Sequence, residues 1–370
     1  MNRTKIIVAV NDLALAGAQR LAVDLLRGLD DSFEPHLVVL TQVSGRGDFY
    51  DQVPAHVQVH KLQFKGFADL GQWWALIKIL HAIRPDIVKT ALFFSNTVFA
   101  LLKPLFGYTL ITAEHNTQIT KNGLQRFLNT VLLPLSHTTV VDSRGVADTL
   151  SHHEGIKRSQ FTVIYNGVNL NAIQKAESSF ASQRNPLRAD LGIGQGDMVF
   201  LTVSRLVGQK NHELMINAFG ELCKKRGDCK LLIVGDGGFL EPRKEQARTL
   251  GLEGKVIFTG EQKEVYRYYA LADAFIMTSR HEGFCIAAME GLAFGLPLVS
   301  TCVAGISEYL KDGVNGYFTE QNANDIAEKM NTIADNAALF AEAAKQTAAA
   351  YSLNRYQAAY RDLFLKIVRG

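Results

Sequence analysis

The sequence is most informative at residues 282–290, which read EGFCIAAME. A short apolar run at 274–277 precedes them and predicts a buried strand, and residues 285–294 predict an almost wholly apolar helix. Glu290 lies inside that helix and has no polar face toward which it could turn. Because an unpartnered buried carboxylate is costly, Glu290 either binds a polar ligand or pairs within the core. Glu282 occupies the turn before the helix, where unpaired backbone N–H groups attract hydroxyl or phosphate oxygens.

Short apolar runs alternate with helix-like stretches through both halves of the chain, a pattern typical of parallel sheets with crossover helices. The predicted strands are Lys5–Val10, His36–Leu40, Val57–Lys61, Asp86–Lys89, Thr109–Ala113, Thr138–Val141, Thr162–Tyr165, Met198–Val203, Lys230–Val234, Val256–Phe258, Ala274–Met277 and Leu298–Ser300. The sequence therefore predicts an α/β protein of two doubly wound, Rossmann-like halves. A ligand is expected in the cleft between them, where the carboxyl ends of the strands meet.

The division between the halves is predicted within residues 171–195, a polar stretch without apolar periodicity. The predicted domains are residues 1–175, residues 176–350 and a C-terminal helix over residues 351–370. The tail from Asn322 is predicted to be helical, with breaks near Asp335 and Ser352.

Composition limits the classes of protein that need to be considered. The 370 residues are 47% hydrophobic and 20% charged, as in soluble globular proteins, and the net charge of +3 is too small to favour nucleic-acid binding. The four cysteines form no C-x-x-C pair, and no apolar stretch reaches the ~18 residues that span a bilayer. These observations favour a cytoplasmic protein. The adjacent His152 and His153 are not accompanied by other potential metal ligands in the sequence, and no D-x-D motif occurs. We therefore expect neither a catalytic metal nor a cofactor.

The spacing E-G-F-x₅-E, with Gly295, Gly305 and Glu308 after it, resembles the donor-site signature of the family 4 retaining glycosyltransferases. The resemblance covers nearly the whole chain and implies the GT-B fold, with two Rossmann-like domains and a last helix that crosses back to the first. It also implies that Glu282 contacts the donor sugar and that Glu290 binds the nucleotide ribose. The resemblance further implies that the backbone between them binds sugar hydroxyls, at Gly283, Phe284, Cys285 and Ile286. Many members have glycine where this chain has Cys285, whose side chain would narrow the sugar pocket.

Arg205 and Lys210 lie on one loop between a predicted buried strand and a predicted helix. Two fixed cations there would stabilise the charge that grows on a departing nucleoside diphosphate, and the same family has an Arg and a Lys at this spacing. The alternative is a pair of solvated surface charges.

Three further strand-end turns are candidates for donor binding. In the first half, the turn containing Gly17 resembles the glycine-rich turn of the family, whose backbone amide faces the donor phosphate. In the second half, the loop from Gly260 and Glu261 is where relatives contact the nucleobase. Residues 235–237, Gly-Asp-Gly, permit a close approach to a ligand or only turn the chain.

His115 ends the fifth predicted strand and is the candidate that the first half offers for the reaction centre. The family often has a histidine here that contacts the donor sugar or the reacting groups; the alternative is a structural histidine. Asn116 and Thr117 are weaker candidates for contacts with the acceptor.

The combined prediction is a metal-independent, retaining glycosyltransferase that uses a nucleotide sugar, with a uridine diphosphate sugar as the expected donor. His115, Arg205, Lys210 and Glu282 are the predicted catalytic residues. The expected acceptor is a glycan or a lipid-linked glycan, because such acceptors are common in the family. Peripheral contact of the first domain with the inner membrane surface is compatible with its aromatic groups, although core packing is the alternative for those. A nucleotide-sugar 2-epimerase of the same fold and a catalytically silent binding module remain alternatives.

Overall fold

The computed structural model describes residues 3–42, 47–115 and 123–369. The chain forms two compact units. The first comprises Met1–Gly167 and Leu353–Gly370, and the second comprises Val168–Ser352. The first boundary therefore lies eight residues before the predicted one at 175, and the return to the first unit begins at Leu353.

The first unit contains a seven-stranded sheet with the order β3-β2-β1-β4-β5-β6-β7. Its strands are β1 (Thr4–Val10), β2 (Phe33–Val39), β3 (Gln58–Lys61), β4 (Ile87–Thr90), β5 (Thr109–Glu114), β6 (Thr138–Val141) and β7 (Phe161–Val163). All neighbours pair in parallel, because a helix or a longer connection separates consecutive strands. The helices are α1 (Gly17–Arg27), α2 (Leu70–Ile83), α3 (Phe93–Phe106), α4 (Gly123–Leu132) and α5 (Arg144–Glu154). Residues 6–9 of β1 are fully buried, as a central strand covered on both faces requires.

The second unit contains a six-stranded parallel sheet with the order β10-β9-β8-β11-β12-β13. Its strands are β8 (Met198–Val203), β9 (Cys229–Val234), β10 (Val256–Phe258), β11 (Ala274–Met277), β12 (Leu298–Thr301) and β13 (Gly316–Thr319). The helices are α6 (Leu170–Phe180), α7 (Arg184–Asp190), α8 (His212–Cys223), α9 (Leu240–Thr249), α10 (Tyr266–Leu271), α11 (Ile286–Ala293) and α12 (Ala323–Ala349). The predicted class, two Rossmann-like α/β halves, is confirmed.

The last helix, α13 (Leu353–Arg369), packs in the first unit. Its Phe364 ring lies 6.2 Å from the Phe33 ring, and Gln357 donates a hydrogen bond of 2.7 Å to the carbonyl of Asp24 in α1. The fully buried Lys89 of β4 places its ammonium 5.6 Å from the centre of the Tyr360 ring. Burial lowers the pKa of Lys89 to about 8. The return of the final helix, which the family resemblance implied, is therefore present.

Residues 171–195, the stretch in which the division between the halves was predicted, are largely helical, and the division lies before them, after Gly167. Helix α6 begins where the Asn169 side chain accepts a hydrogen bond from the amide of Ala172. Helix α7 is anchored by Arg188, which is 3% exposed and donates to Asp273 at 2.6 Å. Both helices bury few apolar residues, so the periodicity that marks a helix is weak here.

One further prediction, a break in the tail near Asp335, was wrong, and one strand before the tail was missed. Helix α12 continues through Asp335, which binds Arg226 on its exposed side at 2.7 Å and interrupts nothing. Strand β13 was missed because it is short and starts at Gly316. A Cβ at Gly316 would lie 2.0 Å from the carbonyl oxygen of Leu298, so the glycine permits the close approach of β12 and β13.

Candidate functional site

The strongest cluster of functional side chains lies at the carboxyl edge of the second sheet. The loops after β8, β9, β10 and β11 all leave the sheet at this edge, because the strands are parallel. Open parallel sheets bind ligands at this edge. Arg205, Lys210, Gly260, Glu261 and Glu282 all lie on these loops.

Lys210 and Glu282 form an ion pair, with 2.5 Å between Nζ and Oε1. The two side chains are 18% and 8% exposed, so the pair is largely removed from water. Burial acts to lower the pKa of Lys210, but the charge of Glu282 and its hydrogen bond outweigh burial and raise the pKa above 10.5. Lys210 is therefore a firmly protonated cation at the sheet edge.

The loops that carry this pair are joined by backbone and side-chain hydrogen bonds. The amide of Arg280 donates to the carbonyl of Gln209 at 2.9 Å, and the Gln209 side chain donates to the carbonyl of His281 at 2.9 Å. Thr278 donates to the carbonyl of Asn211 at 3.0 Å. These contacts fix the loops after β8 and β11 as one platform, which holds Lys210 beside Glu282.

Glu290 is buried in α11, as predicted, and two tyrosines hold it. Tyr266 donates to Oε1 at 3.2 Å and Tyr269 donates to Oε2 at 3.1 Å. Burial and the neighbouring Glu290 raise the pKa of Tyr269 well above 10. Each carboxylate oxygen can accept more than one hydrogen bond, so the two tyrosines leave capacity for ligand hydroxyls. Both tyrosines lie on α10, so the alternative that Glu290 pairs within the core also has partners in the structure.

The turn between Glu282 and α11 is anchored by Phe284, which is 1% exposed. Its ring packs 5.2 Å from that of Tyr309, whose hydroxyl donates to the Phe284 carbonyl at 2.8 Å. A Cβ at Gly305 would lie 1.3 Å from the carbonyl oxygen of Gly283, so only glycine fits there. The packing of Phe284 and the close contact between Gly305 and Gly283 therefore fix the position of the turn.

Cys285, immediately before α11, has a left-handed backbone with φ of 55°. A non-glycine residue is uncommon in this conformation. Its side chain lines a small cavity together with Ser204, Lys210 and Ser279. Burial, followed by the charge of Glu282, raises the pKa of the thiol to about 11, so it stays protonated at neutral pH. Ile286, the first residue of α11, is half-buried.

Arg205 is exposed and forms no ion pair with any residue in the described ranges. The loop that carries it is held by the Gly-Asp-Gly turn after β9. A Cβ at Gly235 would lie 2.0 Å from the carbonyl oxygen of Ser204, and one at Gly237 would lie 2.5 Å from that of Leu206. These glycines therefore support the Arg205 loop through close backbone packing, which the sequence left open.

Gly260 and Glu261 follow β10 at the same edge. Gly260 has a φ of 71° and its carbonyl accepts from the amide of Gly235 at 2.9 Å, which joins the loops after β9 and β10. Glu261 is exposed.

In the first unit, Gly17 is the exposed first residue of α1. Its position in the first turn leaves the amide without a partner within the helix. His115 follows β5, and its Nδ1 lies 3.6 Å from Oδ2 of Asp142. Neither ring nitrogen of His115 has a hydrogen-bond partner in the part of the chain that the structure describes. The predicted acceptor contacts, Asn116 and Thr117, lie outside the described residues.

Two polar groups near these sites were not predicted from the sequence. Asp142 follows β6 and accepts from the Asn166 side chain at 3.2 Å. His212 lies beside Lys210 at the start of α8, and its Nε2 is 2.9 Å from the Ser204 hydroxyl. Burial, then the charges of Lys210 and Arg243, lowers the pKa of His212 to about 4. Asp142 could have been found as a polar residue directly after a buried strand.

Two general features of the described residues complete the description. Within those ranges, no group of three or more His, Cys, Asp or Glu side chains could hold a metal ion. No described helix combines the length and the apolar character that a membrane crossing requires.

Two family models match consecutive parts of the chain. The model of family 4 glycosyltransferases matches residues 15–172, and the model of group 1 glycosyl transferases matches residues 183–351. The chain belongs to the family 4 glycosyltransferases. The matched ranges include most of both units, so the resemblance carried by the EGF…E motif extends over the whole fold.

Two curated members of this glycosyltransferase family illustrate the range of similarity. The alpha-monoglucosyldiacylglycerol synthase of Streptococcus pneumoniae is 31% identical over 187 residues, which are 50% of this chain and 42% of that protein. An N-acetylgalactosaminyltransferase of Campylobacter jejuni, whose name specifies a diphospho-undecaprenol-linked acceptor, is 26% identical over 352 residues, 90% of each chain. The chain spans about half the length of the first curated relatives that it matches.

Among solved structures, HepE of Anabaena in complex with UDP and glucose superposes with a TM-score of 0.85. The two sequences are 19% identical, and the superposition covers 98% of this chain and 100% of HepE. At this identity the likeness shows the fold alone, which is the GT-B fold of the glycosyltransferases.

Proposed function

We propose that this family 4 member is a retaining glycosyltransferase, which moves a sugar from a nucleotide-sugar donor to a hydroxyl of a glycan or lipid-linked acceptor without a metal ion. The observation that carries the proposal is the grouping of Lys210, Glu282 and Glu290 at one sheet edge, with the exposed Arg205 on the same loop as Lys210. Two cations and two buried carboxylates suit a ligand that carries both phosphates and hydroxyl groups.

The cations would act on the leaving group. Cleavage of the bond between sugar and diphosphate increases the negative charge on the diphosphate, and fixed cations in a partly buried site stabilise that charge. Lys210 is held in place by Glu282, whereas Arg205 has no partner of opposite charge among the described residues. We therefore assign Arg205 the larger share of diphosphate stabilisation.

The carboxylates would orient the donor. Glu290 would accept hydrogen bonds from ribose hydroxyls, with Tyr266 and Tyr269 fixing its orientation. Glu282 and the amides of Gly283, Phe284, Cys285 and Ile286 would bind the sugar. The Cys285 side chain would limit the space beside it.

The remaining predicted residues have supporting roles in this proposal. Gly260 and Glu261 would lie near the nucleobase. The Gly17 amide would bind phosphate, and His115 would contact the reacting groups. Attack of the acceptor hydroxyl on the face from which the diphosphate departs would retain the configuration, with the leaving phosphate taking the proton. This route requires no protein nucleophile.

We expect a uridine diphosphate sugar as the donor, supported by the UDP that the structure of HepE contains. A lipid-linked acceptor is supported by the names of two relatives, which specify a diacylglycerol glycolipid and a diphospho-undecaprenol. Such an acceptor would place the protein at the inner membrane surface, in peripheral contact.

The decisive experiment offers the protein a panel of nucleotide sugars with excess chelator and follows release of the nucleoside diphosphate, with and without lipid-linked and glycan acceptors. Acceptor-dependent release and an α-linked product from an α-linked donor are expected. Epimerised nucleotide sugar without an acceptor would indicate the 2-epimerase instead. Binding without turnover would indicate a silent module, and activity only with added Mg²⁺ or Mn²⁺ would contradict metal independence.

A further inference from the structure

Large apolar side chains on the surface are concentrated on one side of the first unit. Nine of the fourteen exposed large hydrophobic residues found in the described ranges lie between residues 67 and 135. They are Phe67, Leu70, Trp74, Leu101, Leu105, Leu124, Phe127, Val131 and Leu135, and together they are called the α2–α4 face. Single exposed apolar residues are common, but a group of this size on one layer indicates an interaction surface.

Seven of the nine residues belong to α2, α3 or α4, and these helices cover the same core. The inner sides of α2, α3 and α4 pack on one hydrophobic cluster, which also includes Ile7, Ala9 and Val88 of the sheet. The outer sides of the three helices therefore point away from the same side of the sheet. On α4, Leu124, Phe127 and Val131 recur at the spacing of one helical stripe, and they are 67%, 63% and 51% exposed.

Within their bounds the three helices carry charge of a single sign, and Asp69 is the N-cap residue just before α2. Helices α2, α3 and α4 contain no Asp or Glu, and each contains one cation, which is Lys78, Lys103 or Arg126. The other helices of the unit, α1, α5 and α13, each contain at least one carboxylate. On α2, the Lys78 ammonium lies 5.4 Å from the centre of the Trp74 ring. A Trp and a Lys four residues apart on an exposed stripe match the headgroup region of a bilayer, where aromatic rings and cations are both favoured.

We propose that the α2–α4 face docks on a lipid surface that contains anionic headgroups, with Trp74, Phe127 and their apolar neighbours inserted among the lipids. The absence of carboxylates from the three helices favours an anionic partner, and the exposed Trp74 beside Lys78 favours a lipid headgroup region over an acidic protein. The inference rests on the proposed function in one respect: a lipid-linked acceptor gives the enzyme a reason to be at the membrane.

The test uses the full chain and vesicles of phosphatidylcholine, either alone or mixed with phosphatidylglycerol. Cosedimentation with the anionic vesicles is expected, about tenfold stronger than with the neutral ones and weakened by salt. The chain has two tryptophans, at 73 and 74, so quenching of their fluorescence by brominated lipid reports insertion directly. Most of the quenching should disappear in Trp74→Phe, because Trp74 is 60% exposed and Trp73 is half-buried.

Two matched variants distinguish vesicle binding through the α2–α4 face from nonspecific hydrophobic binding. Leu124→Gln combined with Phe127→Gln should reduce vesicle binding roughly tenfold or more, since two exposed apolar side chains are lost. Leu339→Gln, at a residue 78% exposed on α12 of the second unit, should leave binding unchanged. Equal binding by all variants, or no preference for anionic vesicles, would overturn the proposal. Concentration-dependent dimers that the double variant abolishes would assign the face to a second copy instead.

The outcome can be separated from the test of the proposed function. If the protein transfers sugar to a soluble acceptor with release of nucleoside diphosphate but does not bind vesicles, only the docking surface is contradicted. A chain that binds anionic vesicles through the α2–α4 face but never turns over a nucleotide sugar contradicts only the proposed activity.

Discussion

The ammonium of Lys210 and the carboxylate of Glu282, 72 residues apart in the chain, lie 2.5 Å from each other and are largely buried. Sequence motifs assign the two residues to different parts of a donor, the diphosphate and the sugar. The structure shows that they are also partners of each other. Loss of one therefore leaves the other as an uncompensated charge, which has consequences for stability as well as for catalysis.

Lys210→Met should lower the free energy of unfolding by about 2 kcal/mol or more, because it leaves Glu282 buried without its cation. Arg205→Met, at an exposed cation on the same loop, should change it by less than about 0.5 kcal/mol. Urea denaturation of both variants measures the difference. Adding Glu282→Gln to Lys210→Met should restore part of the loss, and equal stability of the two single variants would show that the pair is not formed in solution.

Glu290→Gln should weaken nucleotide-sugar binding about tenfold, because an amide replaces a carboxylate that can accept from two ribose hydroxyls. Tyr266→Phe is the control, since it removes one internal donor, at 3.2 Å, and keeps the carboxylate. Calorimetry with the cognate nucleotide sugar measures both affinities. If Glu290 has only a structural role in the core, Glu290→Gln will bind the nucleotide sugar with normal affinity. Only its free energy of unfolding will then be lower.

The sequence predicted the elements around the site closely, because the buried strands of parallel sheets are continuous apolar runs. Strands β8 and β11 have the predicted bounds, so Lys210 and Glu282 could be assigned to the same sheet edge. Their ion pair could not be predicted, since parallel topology brings strand ends together without fixing side-chain contacts. The same limit applies to Tyr269, whose hydrogen bond to Glu290 depends on how α10 packs on α11.

Polar anchors explain where the prediction of the fold failed. Arg184 and Arg188 fix α7 by binding Asp273, which lies 89 and 85 residues further along the chain. An apolar pattern does not reveal such an anchor, because its partner is distant in sequence. In the first unit, Asp142 was missed for a related reason, since it follows β6 and only the pairing of β5 with β6 brings it beside His115.

Cys285→Gly should be more stable than Cys285→Ala by about 1 kcal/mol, because the backbone at this position has a φ of 55°. Both variants remove the thiol and widen the cavity beside Lys210, so both should accept bulkier donor sugars to a similar extent. Thermal unfolding measures the effect of the backbone conformation on stability. A panel of nucleotide sugars measures the effect of the wider cavity on which donors are accepted. Equal stability of the two variants would indicate that Cys285 does not hold this conformation.

Acid should destabilise the protein through His212, whose pKa falls from its usual 6.5 to about 4 because of burial and the nearby Lys210 and Arg243. The folded state binds this proton less readily than the unfolded chain does. The stabilisation is therefore complete above about pH 6.5 and is lost as pH falls toward 4, by at most about 3 kcal/mol.

The free energy of unfolding of His212→Gln, measured across this range, should depend less on pH than that of the unchanged protein. His153→Gln, at an exposed histidine, is the control and should keep the original slope. Identical slopes for all three proteins would exclude His212 as the source.

Arg205→Ala should lower kcat by roughly 10²-fold while changing the KM for the donor less, because the charge on the departing diphosphate grows in the transition state. Arg205→Lys should recover part of the rate, since it keeps the charge and loses the planar donor group. Arg280→Ala is the matched control, as Arg280 is an exposed arginine on the neighbouring loop. Together with Lys210→Met, Arg205→Ala should cost less than the product of the single effects, because both cations act on one leaving group. A near-normal kcat in Arg205→Ala would remove Arg205 from the mechanism. Among the basic side chains of the described loops, Lys210 would then remain as the proposed contact with the diphosphate.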